Sequence, residues 1–270
     1  MMVNRVLFTI GPFTIYWYSF LILVAVLIGY HIALNYCKKI NFNSNSIIDM
    51  SLFLVLWSVI GARLYYVIFN YSAFEDDFLG IFQVWRGGLA IYGGIIGGVL
   101  YILYYCLKKH INFVKMLDIF SLSLLLGQAS GRWGNFFNGE AYGNATTYEA
   151  LKGLHLPMFI IQGMKIDGVY YQPTFLYESV WCLVGVIFLY RIRKKYSNQV
   201  GRQISFYLMW YGFGRFFIEG LRQDSLYLGS LKISQVVSVI CFIGGLIWTI
   251  YIWKKNHIKI NEVTTSDGRI

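Results

Sequence analysis

The sequence predicts an all-α integral membrane protein of about seven transmembrane helices, with a small head on the periplasmic or extracellular side between spans 4 and 5. Three observations carry this expectation. Of 270 residues, 57% are hydrophobic and only 13% are charged, where an ordinary globular domain carries about a quarter. Apolar runs recur along the chain, several approaching the roughly 20 residues needed to cross a hydrocarbon core. Basic residues mostly flank those runs, so the formal charge of +10 reads as membrane topology and not as a nucleic-acid surface.

In chain order the runs cover 15–36, 47–69, 88–107, 116–135, 173–190, 203–218 and 233–253. The first is too long for the apolar core of a signal peptide, follows only Arg5 and precedes no small-x-small cleavage pattern, so it is read as a span. Lys38, Lys39, Lys108, Lys109, Lys115, Arg191, Arg193, Lys194, Lys195, Arg202, Lys254, Lys255, Lys259 and Arg269 fall on alternate connections and the tail, 14 of the 23 Lys and Arg. Cytoplasmic loops collect Lys and Arg, which puts the N-terminus outside and the C-terminus in the cytoplasm. One opposite connection carries Glu75-Asp76-Asp77. Another, 136–172, is long and rich in Gly, Asn and Tyr, and is expected to cap a site on the outer side of a single polytopic domain, 1–270.

No internal repeat is visible, which weighs against transporters built from repeats. Cys37, Cys106, Cys182 and Cys241 sit in or at the ends of apolar runs with no C-x-x-C spacing, and Cys106/His110 has no further ligands beside it. Neither a disulfide scaffold nor a metal site is expected.

Ionisable groups inside spans are expensive and by default functional or paired. Arg63, toward one end of the second run, either snorkels to the interface or faces the bundle. Gly93/Gly97 and Gly94/Gly98 are small-x-x-x-small pairs suited to close helix packing; Tyr92, just before them, is either an interfacial anchor or a site hydroxyl. Gly131–Gly143 is the densest polar cluster: if helical, Arg132, Asn135 and Asn138 share one broad face, and the alternative is a solvated loop. Tyr211, Arg215, Glu219 and Arg222 recur at helical spacing as a polar stripe. An Arg215–Glu219 pair could be purely structural, yet a lipid phosphate ester is the natural partner of arginines at head-group depth.

These motifs together resemble the bacterial prolipoprotein diacylglyceryl transferases over nearly the whole chain. The most specific match is Gly131-Arg132-Trp133-Gly134-Asn135-Phe136-Phe137-Asn138-Gly139-Glu140, corresponding to the family signature G-R-x-G-N-F-x-N-x-E, with Gly143 matching beyond it. Supporting it are Trp17-Tyr18-Ser19, Gly61-Ala62-Arg63-Leu64, Gly87-Gly88 with Gly93-Gly94, Gln172-Pro173-Thr174-Phe175-Leu176-Tyr177-Glu178 and the Tyr211–Arg222 stripe.

The resemblance implies an enzyme of the bacterial plasma membrane. Its activity would be transfer of the diacylglyceryl group of phosphatidylglycerol to the lipobox cysteine of a prolipoprotein signal peptide, leaving a thioether and releasing glycerol phosphate. The nucleophile then belongs to the substrate, and no cofactor is implied. Arg132 and Arg215 match the family's essential arginines; Tyr18, Asn135, Glu140, Gly143, Tyr211 and Glu219 match other functional positions. Arg63, Asn138 and Arg222 join them as candidate lipid-binding residues. Two departures stand out: Tyr92 occupies the place of a histidine often considered the general base, and Phe175 occupies that of a glutamine. A neutral tyrosine is a poor base at pH 7, so the expected mechanism has the arginines lowering the pKa of the incoming thiol and Glu140 or Glu219 receiving its proton. The competing readings are a lipid or anion transporter and a family member without activity.

Overall fold

The computed structural model describes residues 4–11, 13–75 and 77–267; Asp76 and Arg269, both part of the charge pattern above, lie outside the described residues. The chain divides into two compact units, one formed by 1–33 with 117–270 and the other by 34–116.

The first unit opens with a short antiparallel hairpin of β1 (Val6–Ile10) and β2 (Phe13–Tyr16), which leads into helix α1 (Trp17–Lys39). The 34–116 unit contains α2 (Asn45–Phe69), three short 3-10 turns between 71 and 86, and α3 (Ile91–Lys108). The remaining long helices are α4 (Phe113–Asn138), α7 (Thr174–Lys195), α8 (Arg202–Leu221) and α9 (Ile233–Asp267). Between α4 and α7 stand two six-residue helices, α5 (Tyr148–Gly153) and α6 (Met158–Gly163), and three short strands, β3 (Ala145–Thr146), β4 (Lys165–Ile166) and β5 (Val169–Tyr171).

Among the described residues six helices are long and apolar enough to cross a membrane: α1, α2, α3, α4, α7 and the 233–255 part of α9. The expected seventh, α8, is present as a 20-residue helix, but Gln203, Arg215 and Glu219 dilute its apolar character. The third run starts later than its apolarity suggests, because Gly87 and Gly88 both take positive φ (89° and 72°) and hold the chain out of helix until Ile91. The fourth extends past its expected end to Asn138, so the Arg132 motif is helical.

The strands are an addition to the all-α expectation. The 136–172 segment carries a three-stranded sheet in the order β3-β5-β4. Asp167-Gly168 (φ 49° and 86°) makes the tight turn between β4 and β5, the two-positive-φ geometry that matches strand twist. Beneath it lies a core of Phe136, Leu151, Ile160, Ile161, Met164 and Phe175. Phe175, the residue that departs from the family pattern, is fully buried and stacks on Phe136 with centroids 4.6 Å apart, its ring edge-on to Trp133. The departure therefore supplies packing in the root of this segment.

Close approaches set the helices that carry the site. Ser123 and Ser130 of α4 donate to the Gly29 and Leu21 carbonyls of α1 at 2.8 and 3.0 Å. Trp181 of α7 and Trp210 of α8 stack 4.3 Å apart, and each indole N–H donates to the other's carbonyl at 2.9 and 3.0 Å. Gly185 and Gly214 make room for them: a Cβ on either would run into the facing indole. Far along α4 from Arg132, the buried Asp118 accepts the Gly201 and Ile204 amides at 2.6 and 2.8 Å. Arg193 of α7 donates to the Asp118 and Ile119 carbonyls and to Gln203 Oε1. Arg193, read from sequence as one of the loop charges, is thus buried in a lock joining α4, α7 and α8.

Within 34–116, the glycines act as expected. A Cβ on Gly61 would strike the Gly93 carbonyl, one on Gly93 the Gly61 carbonyl, and one on Gly97 the Trp57 carbonyl. Helices α2 and α3 therefore meet backbone to backbone.

Candidate functional site

The stripe on α8 and the motif on α4 converge on a residue from a third helix. Glu178, one turn into α7 and 2% exposed, lies between two guanidiniums: Arg132 Nη2 is 3.0 Å from Oε1 and Arg215 Nη1 2.6 Å from Oε2. Tyr211, one turn before Arg215, donates its hydroxyl to Glu178 Oε1 at 3.2 Å. Arg215 Nη2 also reaches Glu219 Oε2, one turn further along α8, at 2.6 Å. Glu219 is in turn 3.6 Å from Arg222 Nη1. Three arginines and two buried carboxylates thus alternate in sign along a single chain of contacts.

Burial is distributed unevenly along it. The carboxylate side chains are 1–2% exposed, whereas those of Arg132, Arg215 and Arg222 are 10–14% exposed. The acids are therefore the more deeply buried partners in every contact of the chain. Arg132 extends the network through Nη1, 3.3 Å from Asn135 Oδ1, and Asn135 Nδ2 lies 3.5 Å from Glu140 Oε2. Glu140 itself is exposed. Helical spacing of Arg132 and Asn135 makes the first link, and the Glu140 amide, donating to the Asn135 carbonyl at 2.9 Å, folds the acid back for the second.

Other expected residues flank this cluster. The Tyr18 ring, at the start of α1, lies against Gly134, where any Cβ would collide with it. Gly143 pairs with Arg222 in an isolated β-bridge and donates to the Gln172 carbonyl at 2.9 Å. Asn138 ends α4 and, among the described residues, is not part of the chain of contacts. A groove of about 200 Å³ runs between α1, α4 and α7, lined by apolar residues such as Val24, Ile28 and Leu126 and reaching Trp133 and Ser179.

Two expected residues belong to the 34–116 unit. Arg63 is buried and donates to four backbone carbonyls: Ile81 (2.8 Å), Gly87 (2.7 Å), Gly88 (2.9 Å) and Gly80 (2.6 Å). A guanidinium has five N–H groups, so at most one is left for anything else. Arg63 shapes the turn segment before α3. Tyr92 sits half-buried in the first turn of α3, its ring 6.5 Å from that of Tyr65.

Three contributors were not singled out from sequence. Glu178 stood only as the end of a quoted motif, and its local spacing does not show that it bridges arginines 46 and 37 residues away. Asp224 accepts from Arg222 Nε and Nη2 at 3.0 and 3.1 Å and from the Ala141 amide at 3.0 Å. Lys232 Nζ donates to the Glu219 and Arg222 carbonyls, both at 2.8 Å, capping the end of α8.

Apolar helices carrying a row of arginines on buried acids define a polytopic membrane protein with a charged cluster among its helices. The family model described as prolipoprotein diacylglyceryl transferase matches residues 5–251, and the chain belongs to this family of bacterial multi-pass membrane proteins. Its similarity to proteins called phosphatidylglycerol–prolipoprotein diacylglyceryl transferase is high. It is 45% identical to that of Halalkalibacterium halodurans over 90% of this chain and 84% of the relative. It is 44% identical to those of Ligilactobacillus salivarius and Staphylococcus haemolyticus, over 90% of this chain and 91% and 86% of theirs.

Glu178→Gln keeps the shape and removes the charge that separates two guanidiniums. Breaking a buried pair costs about 3–5 kcal/mol, so the variant should unfold in detergent at a clearly lower temperature than wild type. An unchanged unfolding temperature would show that the arginines do not depend on Glu178.

Proposed function

We propose that this chain transfers the diacylglyceryl group of phosphatidylglycerol to the lipobox cysteine of prolipoproteins, forming a thioether and releasing glycerol phosphate. The observation that supports this most is the Arg132–Glu178–Arg215 bridge in a member of this family. The thiol sulfur attacks the diacylglyceryl carbon bound to the phosphate oxygen, the C–S bond forms as the C–O bond breaks, and the electron pair leaves with glycerol phosphate. The phosphate thereby goes from one negative charge to two. Guanidiniums already fixed beside it stabilise the added charge without reorganising. The apolar groove between α1, α4 and α7, which reaches Trp133 next to Arg132 in the chain, suits an acyl chain.

The thiol, with an ordinary pKa near 8.5, is acidified by the same positive field. Its proton passes to Glu140 in preference to Glu219. Glu219 is buried with its carboxylate against Arg215, out of reach of an incoming thiol, whereas Glu140 is exposed, with the Asn135 amide 3.5 Å from its carboxylate. Tyr92 acts as a hydrogen-bond donor or spacer, and Arg222 and Asn135 bind the lipid head group with Arg132 and Arg215. Tyr18, Tyr211 and Gly143 shape the site around them.

The basic residues on alternate connections support an N-terminus outside and a C-terminus in the cytoplasm of the bacterial plasma membrane, with 136–172 as a cap on the outer side of a single polytopic domain. That orientation needs an odd number of crossings, with α8 as the seventh beside the six more apolar helices. A phosphatase reporter fused after Lys255 should be silent; activity of that fusion outside the cytoplasm would reverse the orientation.

Expression in cells depleted of their own transferase tests the activity: lipoprotein precursors should become modified, and unmodified precursors despite normal membrane insertion would refute it. In the same cells Arg132→Lys and Arg215→Lys should each lose about a hundredfold, since an ammonium keeps the charge without the planar fork. Wild-type rates from either inserted variant would remove that arginine from the site. Tyr92→Phe should slow transfer to a lipobox peptide by no more than about tenfold, the size of one modest hydrogen bond. A loss of about a hundredfold or more would make Tyr92 the base.

A further inference from the structure

Ala141 is the third residue beyond α4, directly after Glu140, and its backbone is unusual. Its φ is +58°, a left-handed conformation that alanine rarely holds unaided. The residue is buried and both of its peptide groups are gripped: the N–H donates to Asp224 Oδ2 at 3.0 Å, and the carbonyl accepts from Thr174 Oγ1 at 2.5 Å. The same Asp224 carboxylate holds Arg222 by two parallel hydrogen bonds. Next to this contact, on one side of it, the two segments are joined twice more, by the Gln223 amide on the Tyr142 carbonyl and by the Gly143–Arg222 bridge.

We propose that Asp224 is a positioning residue: it clamps the left-handed turn at Ala141 to the end of α8, and so fixes Glu140 and Arg222 relative to each other. The turn decides where Glu140 points, because the Glu140 amide is on the Asn135 carbonyl while the next residue reverses the chain. Without the clamp, Ala141 relaxes toward negative φ and carries Glu140 away from Asn135. Burial raises the Asp224 carboxyl, but Arg222 and the Ala141 amide outweigh it and hold the group below the ordinary carboxylate range. A carboxylate with a depressed pKa keeps its grip above its ordinary value and loses it only as pH falls through the depressed one, so the clamp stays closed at neutral pH.

The inference rests on the transferase reading, and its test separates the two. Hydrogen exchange across 139–145 needs no activity: Asp224→Ala should expose the Ala141 amide to fast exchange, and Asp224→Asn, which keeps an acceptor oxygen, should retain part of the protection. In transfer to a lipobox peptide, Asp224→Ala should lower kcat about tenfold and raise KM for phosphatidylglycerol by less than that, because Arg222 is released while Arg132 and Arg215 stay on Glu178. The deciding variant is Ala141→Gly in the Asp224→Ala background. Glycine adopts this φ freely, so the double variant should recover most of the lost kcat. Wild-type exchange in Asp224→Ala, or a double variant as slow as Asp224→Ala alone, would overturn the proposal. Wild-type protein inactive in transfer would refute the transferase reading, while the exchange measurement still decides the clamp.

Discussion

Two guanidiniums buried side by side repel, and the site exists because one carboxylate stands between them. In a medium of low dielectric, like charges a few ångströms apart are costly, and an unpaired carboxylate there is costlier still. Glu178 answers both constraints by giving one oxygen to Arg132 and the other to Arg215. The arginine side chains are more exposed than the acids that hold them, so in the proposed reaction a lipid phosphate would meet donors already fixed in place. The further alternation through Glu219 and Arg222 extends the array without building up net charge.

Such a bridge tolerates little error in helix placement, since it joins α4, α7 and α8 through contacts of 2.6–3.0 Å. The rest of the first unit supplies that accuracy. The reciprocal Trp181–Trp210 pair fixes α7 against α8 and needs Gly185 and Gly214 to do so. The Asp118–Arg193–Gln203 lock ties the same three helices at the far end, about 20 Å along α4 from Arg132. Polar groups at both ends and aromatic stacking between leave the bundle little freedom to slide.

The membrane helices were legible because lipid imposes a length and a composition on every span, and the motif on α4 because Arg132 and Asn135 act at helical spacing. What stayed hidden depends on partners distant in sequence. Glu178 could be seen in a motif but not as a bridge, since nothing local says that its two oxygens meet different helices. Arg63 stood as a candidate lipid ligand from its charge; only the fold shows its donors turned onto the carbonyls of 80–88. Asp118, Arg193 and Asp224 escaped for the same reason, and the strands of 136–172 because two- and three-residue pieces carry no period to read.

Solid-state NMR of the enzyme with bound phosphatidylglycerol, measuring dephasing between the lipid phosphorus and arginine side chains labelled with nitrogen-15, tests the central claim most directly. The account predicts that the phosphorus lies within about 4 Å of guanidinium nitrogens from both Arg132 and Arg215, the reach of charge-assisted N–H···O contacts, and that Arg132→Lys and Arg215→Lys each remove one of two couplings. A phosphorus coupled to neither, or to one arginine with the other remote, would contradict it.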